Sequence, residues 1–120
     1  MFRFICRSKV QNAVITKKNL RYSGSIGIDR KILKAAGLCR GEIVQVLNLN
    51  NGIRLETYII EEPAGSGTVG LYGPAARLGE QGDPVVILAY GMVDEPELGA
   101  VKMKVVKLGK KNKIKGQALL

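Results

Sequence analysis

Apolar and polar residues follow one another along this chain in short runs of strand type, broken at intervals by glycine and asparagine. Residues 2–5 and 10–15 read as strands, and residues 19–22 as a further short one ending in the turn Ser23-Gly24-Ser25. The period then changes. Asp29 can cap a helix over residues 30–36, with Ile32, Leu33 and Ala36 on one face and Gly37 as its stop. Residues 42–48 and 53–60 return to strand patterning around Leu49-Asn50-Asn51-Gly52, where Asn-Gly is a strong hairpin signal because both residues tolerate positive φ. A polar loop over residues 61–67 precedes a strand at 68–72 and one helical turn at 74–78. Residues 84–90 are almost uninterruptedly apolar, which predicts a central strand buried on both faces. In residues 101–108 Val and Met alternate with Lys, the pattern of a half-buried strand with its lysines outward. Residues 109–120 read as a flexible basic tail. Short strands with one clear helix, and neither repeat nor boundary, predict a mainly-β single domain over residues 1–120, a small barrel.

A length of 120 residues with 46% hydrophobic content suits one folded domain with a limited core, for which oligomerisation is an ordinary remedy. No apolar run approaches the roughly 18 residues of a membrane span. The opening residues, interrupted by Arg3, Arg7 and Lys9, lack the apolar stretch of a signal peptide, so a cytoplasmic location is expected. Cys6 and Cys39 form neither a CxxC nor a metal spacing and read as small buried thiols. The absence of histidine excludes a Ser-His-Asp triad, a Cys-His pair and His-ligated zinc. Acid–base chemistry is left to Tyr, Lys, Asp, Glu, Cys or a group the chain makes itself. The net charge of +9 is uneven: Lys102, Lys104, Lys107, Lys110, Lys111, Lys113 and Lys115 close the chain without a single acid after Glu97. Such a stretch can be a nucleic-acid footprint, yet it holds no arginine for base edges and no aromatic for stacking, so a solvated face is the plainer reading.

One constellation stands out. Tyr22-Ser23-Gly24-Ser25 is followed by Ile28-Asp29, with Lys9 upstream and Asn51-Gly52-x-Arg54-x-x-Thr57-Tyr58 downstream. Taken singly, each piece is ordinary: a turn, a strand pair, a rim tyrosine. Together with Tyr72-Gly73-Pro74-Ala75-Ala76-Arg77 and Gly82-Asp83-x-Val85-x-Ile87, this spacing resembles the aspartate 1-decarboxylases over about residues 1–95. The chain departs from that family's pattern at Tyr72, where the family has Asn, at Pro74, where it has Ala, and at Ser23, where Glu is common. Pro74 has no N–H to offer a ligand, whereas Gly73 and Ala75 do.

The residues themselves suggest the first step. The Ser25 hydroxyl follows directly on the Gly24 carbonyl, and glycine, lacking Cβ, lets the hydroxyl approach. Attack moves the acyl group from nitrogen to oxygen; elimination from the ester cuts the chain into residues 1–24 and 25–120 and leaves dehydroalanine, whose hydrolysis by water releases ammonia and leaves a pyruvoyl group in place of Ser25. The resemblance implies that this pyruvoyl is the cofactor, binding the substrate amine as a Schiff base and drawing electrons from the departing carboxylate. It also implies a hydroxyl from Thr57 for the oxyanion of cleavage, Tyr58 as proton donor, and Arg54 with Lys9 to hold the second carboxylate. Gly73, Pro74 and Ala75 would line the substrate site, with Tyr72 at its edge.

Strict alternation puts Arg54 and Tyr58 on one face of their strand and Thr57 on the other. One site can use all three if the strand is bulged or ends there, or if the site lies between subunits. The resemblance further implies a six-stranded double-psi β-barrel with one or two short helices, a homotetramer with active sites at its interfaces, and no metal. L-Aspartate would become β-alanine and CO2 for pantothenate and coenzyme A synthesis. In some bacteria of that family a helper protein assists cleavage. Two other classes compete: a basic nucleic-acid-binding barrel, and an uncleaved relative with a structural role.

Overall fold

The structure, a computed structural model, describes residues 1–120. Its strands are β1 (Phe2–Val14), β2 (Lys17–Asn19), β3 (Ser25–Asp29), β4 (Ile43–Asn48), β5 (Arg54–Glu62), β6 (Val69–Tyr72), β7 (Pro84–Asp94), β8 (Lys104–Leu108) and β9 (Ile114–Leu119). The single α-helix, α1, spans Arg30–Ala36, and 3-10 turns occupy Gly73–Arg77, Glu95–Ala100 and Lys110–Asn112. All nine strands join one mixed sheet in the order β2-β6-β3-β5-β4-β7-β1-β8-β9.

That order forces the sheet to curl. β1 and β2 stand far apart in it, yet only Ile15 and Thr16 join them. The link is held from both sides: Ile15 N–H donates to Asp83 O at 3.0 Å, Gly82 N–H to Ile15 O at 2.8 Å, and Thr16 N–H to Val69 O at 2.8 Å. The sheet therefore wraps around one core, in which Val10, Ile26, Ile28, Ile59, Leu71 and Ile87 are almost wholly buried. The architecture is mainly β and accords with a double-psi barrel, although its ladder counts nine strands rather than six and does not close on itself. No helix is long and apolar enough to cross a membrane.

Helix α1 begins and ends as its sequence dictates. The Asp29 carboxylate accepts from Lys31 N–H at 2.8 Å, and Gly37 takes the left-handed conformation with φ of 69°. Other elements differ from expectation. Residues 2–14 form one long strand because bulges at Cys6/Ser8 and Val10/Ala13 absorb the breaks in pattern, Asn12 taking φ of 65° at the second. The strand expected at residues 19–22 lies earlier, at Lys17–Asn19, and the chain then turns. In the β4–β5 hairpin only Gly52 uses positive φ, so the connection spans Leu49–Gly52 rather than a two-residue turn. β7 is buried on its inner face, but Val86 and Leu88 on its outer face are only half-buried within one chain. Cys39 is exposed and Cys6 half-buried, against the expectation of buried thiols.

The flexible tail expected over residues 109–120 is instead ordered: β9 pairs antiparallel with β8. The anchor is Asn112, which is buried. Its Nδ2 donates to Val14 O at 2.9 Å and Gly67 O at 2.8 Å, and its Oδ1 accepts from Val14 N–H at 2.9 Å. One fully satisfied buried amide fixes a hairpin whose lysine-rich composition hides it.

Candidate active site

β5 changes partner along its length. Residues 54–58 pair with β4, and from Ile59 onward the opposite edge pairs with β3. The opposite edge of residues 54–58 is thus left without a strand, and β3 begins only at Ser25. The Gly73–Arg77 turn packs against that gap. The result is an open cleft of about 340 Å³ lined by Gly24, Thr57, Tyr58, Pro74, Ala75 and their neighbours on β5. Five residues singled out from sequence therefore meet in one place. No register shift interrupts Arg54–Tyr58. A free strand edge removes the alternation difficulty, because side chains of both faces border it.

Ser25 follows directly on Gly24 of the cleft wall. It is cross-strand partner of Tyr72, and its successor Ile26 is level with Ile59, so Ser25 is level with Tyr58. Ile26 and Ile59 both point into the core, which turns Ser25 and Tyr58 together to the other face. Ser25 has no solvent exposure, and its hydroxyl donates back across Gly24 to the Ser23 carbonyl at 3.3 Å. Tyr58 is 40% exposed. Gly73 seals the other side of the peptide. It has φ of 64°, and a Cβ there would lie 2.7 Å from both N and Cα of Gly24. Conformation and space both demand glycine at residue 73.

Tyr72 belongs to a cluster beside this site rather than to its open wall. It is buried, with its hydroxyl donating to the Glu62 carboxylate, and its ring lies over Gly27 and Gly70, where any side chain would collide with it. The Tyr22 ring packs against it at 5.1 Å between centroids, and Lys17 Nζ lies 3.9 Å from Glu62. Burial pushes the Tyr72 phenol above its ordinary range, and the bond to Glu62 and that carboxylate's charge push the same way. The phenol therefore stays protonated and donating. Glu62, Gly27 and Gly70 were not singled out from sequence: the two glycines carry no pattern of their own, and only the pairing of β3 with β6 brings them under one ring.

Arg54 lies on the outer face of β5. Its Nη1 donates to Gln45 Oε1 at 2.6 Å, and the same oxygen accepts from the Tyr90 hydroxyl at 3.0 Å. It takes part in none of the chain's ion pairs, so its charge is free for an incoming carboxylate. The β4–β5 hairpin that carries it is pinned by Asp83, which accepts from Asn48 and Asn50 at 2.8 Å each. Hydrogen bonds from Asn48, from Glu80 N–H and from Asn50 hold the Asp83 carboxyl below its usual range. Lys9 is not brought to the cleft within one chain. The register Lys9–Leu88–Gln45–Glu56 sets it three strands from β5, about 14 Å at the usual strand spacing, on the same outer face.

The family model described as aspartate decarboxylase matches residues 1–115. Among similar proteins, the aspartate 1-decarboxylase of Carboxydothermus hydrogenoformans is 47% identical over 114 residues, covering 95% of this chain and 90% of that one. That of Bacillus pumilus is 49% identical over 114 residues, covering 95% and 90%. That of Kosmotoga olearia is 46% identical over 112 residues, covering 93% and 96%.

Proposed function

The chain belongs to the aspartate decarboxylase family and is an enzyme that converts L-aspartate to β-alanine; we propose that it does so with a pyruvoyl group made from its own Ser25. The observation that carries this reading is the Ser25 hydroxyl, buried and folded back over Gly24 toward the Ser23 carbonyl. From there it attacks the Gly24 carbonyl carbon, the Gly24–Ser25 C–N bond breaks, and an ester and a free amine result. The Thr57 hydroxyl, on the cleft wall beside Gly24, stabilises the oxygen that gains charge. The surroundings suit the product: Gly24, next to Ser25, lines a cleft wide enough for a small amino acid, and Gly73 packs against the peptide without a side chain to displace it. Once formed, a pyruvoyl group at residue 25 supplies a carbonyl that takes up the electrons left by the departing carboxylate.

The protein's own side chains do the rest. Tyr58, level with Ser25, returns a proton to the carbon that lost CO2. Arg54 holds the carboxylate that stays, and the N–H groups of Gly73 and Ala75 orient it while Pro74 contributes shape alone. Lys9 adds positive charge from a neighbouring subunit. That assignment rests on its place on the outer face, where half-buried Val86 and Leu88 leave an apolar surface for a second copy in a homotetramer. The product feeds pantothenate synthesis in the cytoplasm. The nucleic-acid and structural readings are not favoured, because the family match spans nearly the whole chain.

The test is a denaturing intact mass after prolonged incubation. Fragments 1–24 and 25–120 are expected, the larger with a pyruvoyl in place of Ser25. Ser25→Ala is expected to stay whole and inactive. Decarboxylation by the Ser25→Ala chain would sink the pyruvoyl mechanism.

A further inference from the structure

The lysines after residue 98 have no part in the cleft, and the fold gathers several of them elsewhere. Two cavities of about 410 Å³ and 680 Å³ lie between α1 and the β8–β9 hairpin and share Lys31 and Ile114, so they form one groove. Lys31, Lys111 and Lys113 border its smaller part. Lys34 and Lys104 border the larger part, whose floor is apolar: Ala35, Val105, Ala118 and Leu119. Five lysines from three separate elements thus line one groove, and none of them takes part in an ion pair.

The single acid lining the groove, Asp29, offsets at most one of the five charges. Both Asp29 oxygens are already engaged, accepting from the N–H groups of Lys31, Gly65 and Gly67 at 2.8–2.9 Å. Nor are the lysines placed by a loose tail. Lys111 sits in the left-handed conformation, φ 56°, immediately before the buried, triply bonded Asn112. The backbone of the turn is therefore fixed, and its lysines start from constant positions. Gathering like charges in this way is unfavourable without a counter-anion.

We propose that this groove binds a compact oligophosphate ligand that carries an apolar portion. The phosphates lie among Lys31, Lys111 and Lys113, and the apolar portion covers Val105, Ala118 and Leu119. A lysine cluster gives point-charge attraction to phosphate without the planar, two-pronged geometry that arginine offers a carboxylate. The absence of arginine and aromatic side chains along the groove disfavours a nucleic-acid strand.

The test is calorimetric titration of the full chain with inorganic triphosphate and, separately, with adenosine triphosphate, in low and moderate salt without divalent ions. Saturable binding below about 1 mM is expected, weakening with salt and tighter for the nucleotide. Lys31→Gln/Lys111→Gln/Lys113→Gln should lose about twentyfold or more in affinity, at roughly threefold per exposed lysine. Its β-alanine production should stay at the parent rate, which verifies its fold. The variant Lys102→Gln/Lys107→Gln/Lys110→Gln makes the same charge change outside the groove and should stay within about threefold of the parent. Absence of saturable binding, equal losses in the two variants, or equal affinity for the two probes would overturn the proposal. So would a nucleic-acid strand that binds and is displaced by neither probe.

Discussion

A methyl group at residue 73 would sit 2.7 Å from the N and Cα of Gly24, on a residue whose φ of 64° already disfavours any side chain by about 1 kcal/mol. Gly73→Ala is therefore expected to push Gly24 away from the Ser25 hydroxyl and to slow self-cleavage at least tenfold, measured as the fraction cut over time on denaturing gels. Cleavage at the parent rate would remove Gly73 from its part in shaping the peptide. At this scale the sequence was informative where functional residues lie in short motifs. Gly24, Thr57 and Tyr58 are named by two brief stretches, and the fold puts them around one cleft, with buried Ser25 next in the chain to Gly24. It was uninformative about the Tyr72–Glu62 bond and the glycine slot beneath that ring, which exist only through pairing across three strands.

At the scale of elements, Asp29 ties the start of α1 to the loop before β6. Burial alone would raise its carboxyl, but the N–H groups of Gly65, Gly67 and Lys31, with the Lys31 charge, outweigh burial and hold it below the usual range. A carboxyl lowered by folding contributes stability above its unfolded pKa, about 3.9, and that contribution is lost as pH falls through the folded value. Asp29→Asn turns one acceptor into a donor facing an N–H. In the uncuttable Ser25→Ala background it should cost about 1.5–3 kcal/mol at pH 7 in urea unfolding. The difference between the two proteins should shrink steadily below pH 4. A constant difference across that range would refute the linkage. The helix and both its caps were legible because cap, apolar face and stop are local. The β8–β9 hairpin was not, because its anchor is one asparagine reaching residues 14 and 67.

For the whole molecule, mainly-β character was legible from alternation, but strand order was not, since β1 and β2 are neighbours in sequence and distant in the sheet. The continuous apolar run at β7 predicted burial on both faces. One chain buries only the inner one, and the outer keeps Val86 and Leu88 half-open beside exposed Met92 and Ile43. That mismatch is what an assembly would resolve. In the proposed homotetramer, Val86→Glu should leave the monomer fold intact, with unchanged circular dichroism, yet reduce the particle from four chains to one by light scattering and abolish turnover. A tetramer that survives the substitution would place the interface elsewhere. The position of β1, flanked by β7 on one side and β8 on the other, has a further consequence. The segment ahead of the proposed cut is woven into the middle of the sheet, so cutting releases nothing while the molecule is folded. Once unfolded, however, the two pieces must find each other by diffusion. Recovery then depends on dilution, whereas the uncut precursor folds as a single chain. Maturation would thus act as a ratchet: the chain's first folding is the only one that is unimolecular.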